Sequence, residues 1–124
     1  MPDETAGLRL DAVRIVLDGR ELVAVDRHVR PGETLTVMGP SGSGKSTLLA
    51  YVGGFLDPVF SGEGRVICGG RDIAGLPAEE RHAGILFQDP LLFPHMSVGG
   101  NLVFAIPQTL KGKPARRARA EEAL

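Results

Sequence analysis

Apolar and polar positions roughly alternate along "LRLDAVRIVL" (8–17), the period of a strand with one buried face. Asp18-Gly19 follows, a dipeptide suited to a two-residue hairpin turn because glycine accepts positive φ. "RELVAVDRHV" (20–29) then reads as the returning strand, "RPGE" (30–33) as a turn, and "TLTVM" (34–38) as a short β-branched strand. The pattern changes at "KSTLLAYVGGFL" (45–56), where apolar residues fall at helical spacing. This helix is expected to end near Gly53-Gly54, where helix propensity collapses. "GEGRVICGGRDI" (62–73) reads as strand, glycine turn, strand, and "PAEERH" (77–82) as one helical turn with proline first and acids early. "GILFQ" (84–88) has the apolar run of a buried strand. Ser97 begins a helix over "SVGGNLVFAI" (97–106), and a charged helix is expected from Lys113 onward. No repeat, low-complexity block or linker interrupts the pattern.

Composition narrows this picture. The 124 residues suffice for one modest domain. Fourteen basic and fifteen acidic side chains give a net charge of −1, so no global field recruits nucleic acid or an anionic membrane. The single cysteine, Cys68, excludes an internal disulfide and reads as a small strand residue in a reducing compartment. The acidic, polar start "MPDETAGLRL" is unlike a secretory signal, and no apolar run approaches a membrane span.

The chemistry concentrates in "MGPSGSGKST" (38–47). Gly39-x-x-x-x-Gly44-Lys45-Ser46 satisfies the phosphate-binding-loop pattern, with an apolar strand before it and a helix after it. A triphosphate needs many converging donors. Glycines 39, 42 and 44 let successive backbone N–H groups turn inward as an anion nest. The helix beginning near Lys45 adds unpaired N–H groups and the positive end of its dipole. Lys45 supplies a mobile charge for the β- and γ-phosphates, and Ser46 a hydroxyl for Mg²⁺. The nucleotide-binding set is therefore Gly39, Pro40, Ser41, Gly42, Ser43, Gly44, Lys45, Ser46 and Thr47. A dinucleotide loop would require glycine at 47, where threonine stands.

The order and spacing of "RPGETLTVMGPSGSGKSTLL" and "SGEGRVICGGRDIAGLPAEERHAGILFQDPLLFPHMSVGGNL" resemble the ATP-binding subunit of an ABC transporter, most closely the importer type. The resemblance implies an α/β P-loop NTPase fold, a RecA-like core left incomplete, with an antiparallel β-subdomain. It implies one partial nucleotide-binding domain over 1–124, with the phosphate loop at 39–47 and the Q-loop around 88. Gln88 matches the Q-loop glutamine, which implies a catalytic and metal-binding role beside Lys45 and Ser46. The resemblance also implies Mg-ATP as ligand and ATP hydrolysis coupled to uptake of a small solute. Its implied partners are a transmembrane permease, a second ATP-binding subunit packed head to tail, and an external solute-binding protein. Nucleic acid is not among them. The implied location is the cytoplasmic, inner face of the cell membrane, held peripherally. The loop from Gln88 to about Asn101 would face the permease.

Departures from the family pattern matter. The stacking aromatic falls at about Val16 or Leu17, and no Tyr, Phe or Trp occurs in residues 1–50, so apolar base contact is expected. Gly100 replaces an acid before Asn101, so the helix there is expected to start late or to be loose. The 124 residues contain no "LSGGQ"-type segment, no metal-site strand ending in an acid, and no switch histidine. His28, His82 and His95 read as surface or turn residues, Asp89 as a turn residue, and "KGKPARRARAEE" as a solvated helix face. The expectation is a truncated product or partial record that binds nucleotide, hydrolyses it at background rate, and aggregates. Two other readings fit the loop alone: a nucleoside- or guanylate-kinase-like phosphotransferase, and a non-catalytic nucleotide-binding fragment.

Overall fold

The computed structural model describes residues 6–89 and 91–124. They gather into two compact units, one ending at Ile85 and the other running from Leu86 to Leu124. The sequence carries no linker at that division.

The first unit is built on an antiparallel sheet in the order β2-β1-β3-β4. Its strands are β1 (Leu8–Leu17), β2 (Arg20–Val29), β3 (Ser61–Cys68) and β4 (Arg71–Asp72). Helix α1 spans Lys45–Gly53 and α2 spans Ala78–Arg81. The β1–β2 turn has φ of 50° at Asp18 and 76° at Gly19, the left-handed pair that matches the twist of a two-residue hairpin. Two irregularities shape the β1–β2 ladder. One falls between Leu10 and Val13, where Ala12 takes φ 52°; the other puts Leu22 of β2 out of register, because Ile15 pairs Val23 while Val16 pairs Glu21.

One sheet face carries Leu10, Val13, Ile15 and Val66, which join Leu48 of α1 and Ile73 in the buried core. The opposite face is ionic. Arg14 bridges Glu21 and Glu63 at 2.8 Å each, Arg9 pairs Asp26, and Arg65 pairs Asp11. The two carboxylates raise the Arg14 pKa further, and the guanidinium stays charged at every working pH.

Helix α1 crosses the sheet from β2 to β3. Its start lies on β2, since a Cβ on Gly44 would stand 3.4 Å from that of Val23 and 3.5 Å from that of Leu22. Toward its end, Tyr51 covers Gly62 and donates to the Gly64 carbonyl at 2.6 Å. Burial, with Asp72 and Glu63 nearby, raises the Tyr51 pKa despite Arg81, so the phenol stays a donor at neutral pH. Gly54 closes the helix in the left-handed conformation, φ 89°, and its N–H bonds the Ala50 carbonyl at 2.9 Å.

The second unit pairs α3 (Val98–Phe104) with α4 (Lys113–Glu122). Ser97 caps α3 by accepting from Gly100 N at 2.9 Å. The helix therefore starts directly after its cap, and the late or loose start expected from Gly100 does not occur. The charged helix forms as the pattern predicts, with Arg117–Glu121 and Arg119–Glu122 pairs one turn apart.

Two expected strands are absent. Residues 34–38 and 84–88 are irregular and join no ladder among the described residues. A strand needs a neighbour for its N–H and C=O groups, and apolar sequence alone supplies none. Leu86, expected to be buried, is 99% exposed, and Met38 is 86% exposed.

Candidate functional site

After the turn at Pro31-Gly32 the chain doubles back, so that Leu35–Met38 and Ala24–Arg27 line one groove along the outer edge of β2. The loop 39–44 leaves that groove and feeds α1, whose start lies over Leu22 and Val23. Gly42 and Gly44 hold φ of 83° and 91°, values costly for any residue with a Cβ. Ser43 N donates to the Pro40 carbonyl at 3.1 Å, which closes the turn inside the loop. Leu48 N donates to the Gly44 carbonyl at 2.9 Å, the first α1 bond. The N–H groups of Lys45, Ser46 and Thr47 thus precede any intrahelical partner, and the first turn holds no acid to compete for them.

The side chains complete a donor set. The Lys45 ammonium reaches across the loop and donates to the Gly39 carbonyl. A Cβ on Gly39 would lie 2.7 Å from Ser43 Oγ, so a side chain there would force the Ser43 hydroxyl to move. Ser43 Oγ is buried and has no hydrogen-bond partner among the described residues. An unpaired buried hydroxyl costs about 1–3 kcal/mol, and a ligand oxygen in the loop would relieve it. Ser46 is exposed at the second position of α1, and Thr47 is half-buried. Ser46 offers one hard oxygen; for Mg²⁺ the remaining positions suit phosphate oxygens and water. Hydroxyls, amides and one ammonium are donors of the kind a polyphosphate takes.

Residues 39–47 thus form one turn that runs into the start of α1. Gln88 falls outside this unit: it lies exposed in a bend with Asp89 at the start of the second. His28, half-buried, has Nε2 2.8 Å from the Ala6 carbonyl, while His82 and His95 are exposed. Among the described residues, no three His, Cys, Asp or Glu side chains form a metal cluster.

Sequence reading missed what supports the loop. Arg81 donates to the carbonyls of Tyr51 (2.9 Å) and Val52 (3.2 Å) at the C-terminal end of α1, and to those of Ala74 (2.9 Å) and Leu76 (2.8 Å). It ties the helix to the segment after β4 and places a cation at the negative helix end. Gly54 leaves room for it, since a Cβ there would stand 2.6 Å from Arg81 Nε. In the second unit Asn101 fixes the loop before α3. Its Oδ1 accepts from Phe93 N at 2.9 Å and its Nδ2 donates to the Ser97 carbonyl at 2.9 Å. Phe93 also meets Phe104 edge-on, with centroids 5.0 Å apart.

Comparison with known proteins gives the family. Residues 22–124 match the family model described as ABC transporter. An uncharacterized ABC transporter ATP-binding protein, YnjD of Escherichia coli K12, is 47% identical over 107 residues, covering 86% of this chain and 49% of that protein. The thiamine import ATP-binding protein ThiQ of Cereibacter sphaeroides is 42% identical, covering 94% of this chain and 49% of its own length. The Fe(3+) ions import ATP-binding protein FbpC of Streptomyces avermitilis is also 42% identical, with 94% and 33% covered. The chain thus spans between a third and a half of the length of these relatives.

Proposed function

The chain belongs to the ABC transporter family, and on that premise we propose that it is the Mg-ATP-binding, energy-coupling part of an importer for a small solute. One observation carries the reading. The loop 39–44 turns through two left-handed glycines into the start of α1, with Lys45 lying across it and the buried Ser43 hydroxyl unpaired. Backbone donors of the loop and of the first α1 turn would cradle the β- and γ-phosphates. Lys45 would neutralise their charge, and the Ser46 hydroxyl would offer an oxygen to Mg²⁺. The metal would spread the developing charge of phosphoryl transfer, and for Gln88, whose amide has an oxygen that can bind metal or water, we propose the catalytic and metal-binding role of the Q-loop glutamine.

The importer assignment is supported by the named functions of the thiamine and iron relatives. It brings a transmembrane permease, a second ATP-binding subunit and an external solute-binding protein as partners, and attachment at the inner membrane face. None of the helices is long and apolar enough to cross a membrane among the described residues. We read 1–124 as one part of a nucleotide-binding domain. These residues by themselves are proposed to turn ATP over at no more than background rate, because the 124 residues contain no apolar strand ending in an acid for the metal and no "LSGGQ"-type segment.

Calorimetric titration with Mg-ATP tests the site. Lys45→Ala removes a charged donor to phosphate, a contribution of about 1.5–3 kcal/mol, so affinity should fall roughly tenfold to a hundredfold. Equal affinity in the variant overturns the reading.

A further inference from the structure

We propose that the outer, ionic face of the sheet in the first unit carries a second ligand site, made for a small aliphatic monocarboxylate. The site is independent of the phosphate loop, because α1 packs on the other face, where Leu48 joins Leu10, Val13 and Ile15.

A concavity of about 550 Å³ lies on this face, lined among the described residues by Arg9, Asp11, His28, Arg65 and Ile67. Small-molecule sites run from roughly 300 to 1,000 Å³. Strand register assembles it. Arg9 of β1 stands opposite His28 of β2 and Ile67 of β3, and Asp11 stands opposite Arg65. Residues two apart on a strand share a face, so Asp11 sits beside Arg9 and Arg65 beside Ile67. Next to Asp11 both β1 ladders break, toward β2 between Leu10 and Val13 and toward β3 between Asp11 and Arg14. A bulge bends its strand and sharpens the twist, which sets this end of the face apart from the end at Arg14.

The two ends differ in charge balance. Arg14 is held by two carboxylates, Glu21 and Glu63, so negative charge is in excess there. In the concavity Arg9 and Arg65 stand with one lining carboxylate, Asp11. Arg65 donates from Nε and Nη2 to the same Asp11 oxygen. Arg9 donates from Nη2 to Asp26, which is outside the lining. The remaining N–H groups of both guanidiniums have no hydrogen-bond acceptor among the described residues. His28 forms a fixed wall, since its Nε2 lies 2.8 Å from the Ala6 carbonyl, which can only accept.

Chemistry then selects the ligand. The planar fork of a guanidinium matches a carboxylate, and two such forks border one cavity. Half-buried Ile67 offers an apolar wall to a short hydrocarbon tail. Asp11 opposes a second negative charge at this distance, which favours a monoanion over a dicarboxylate.

The test is calorimetric titration of the full chain with isovalerate, with isovaleramide, which lacks the charge, and with succinate, which carries two. Isovalerate should bind at least about tenfold more tightly than either. Arg9→Gln should weaken it about fivefold or more. Asp26→Asn removes the competitor for Arg9 without touching the lining, so it should tighten binding about twofold to fivefold, a gain that loss of a structural ion pair would not give. Far-ultraviolet dichroism checks the sheet in each variant; if Arg9→Gln loses it, Asp26→Asn decides. No isovalerate binding up to about 10 mM, equal binding of the amide or of succinate, an unchanged affinity in folded Arg9→Gln, or no gain in Asp26→Asn would each overturn the proposal.

Discussion

Arg81 shows how much one side chain contributes when its donors have no alternative partners. It serves four carbonyls in two segments, two of them at the end of α1. Those carbonyls would otherwise lack intrahelical donors. Arg81→Ala is expected to destabilise the first unit by about 2–4 kcal/mol, since several charged hydrogen bonds go together. Arg81→Lys should recover only part, because an ammonium cannot span a planar four-acceptor site. Urea unfolding followed by tryptophan-free probes, such as far-ultraviolet dichroism, would measure both. Wild-type stability in Arg81→Ala would contradict the role. Arg116 plays the same part in the second unit, donating to the carbonyls of Val103, Pro107 and Leu110 at 2.8–3.1 Å.

At the scale of elements, glycines of similar dihedral do different work. Gly19 has φ 76° with open space where a Cβ would stand, whereas Gly64 has φ 100° and its Cβ would fall 2.4 Å from the Ala12 carbonyl oxygen. The β1 bulge at Ala12 and the glycine of β3 thus fit into each other. Gly19→Ala is expected to cost about 1–2 kcal/mol, the left-handed penalty alone. Gly64→Ala has to move β1 or β3 as well, and should cost at least about 3 kcal/mol. Parallel denaturation curves would separate them, and equal midpoints would refute the interlock. The hairpin, α1 and α4 were all legible in sequence, because turn dipeptides, apolar period and caps are local properties. The interlock was not, because it depends on which residue of β3 meets the bulge.

For the whole molecule the telling feature is apolar surface. Leu35, Val37 and Met38 are exposed in the first unit, and Leu86, Leu91 and Leu92 in the second. Isolated apolar residues are ordinary on surfaces, but contiguous runs mark places that associate. The 124-residue chain alone is expected to self-associate at micromolar concentration, read as concentration-dependent sedimentation and dye binding. A monodisperse sample with Lys45-dependent phosphate release would contradict both this and the proposed lack of turnover.

The sequence by itself determined the local form of residues 39–47, because its demands are local: left-handed glycines at 42 and 44 and a helix start at Lys45. It also determined the hairpin and the helices, whose bonds close within a few residues. Tertiary structure alone decided the rest. The Ser43 hydroxyl is buried, Arg81 joins α1 to a distant segment, and the β2 irregularity turns Glu21 to the ionic face. Residues 34–38 and 84–88 have strand composition but no ladder, because a strand is completed only by a neighbour and its own sequence cannot provide one.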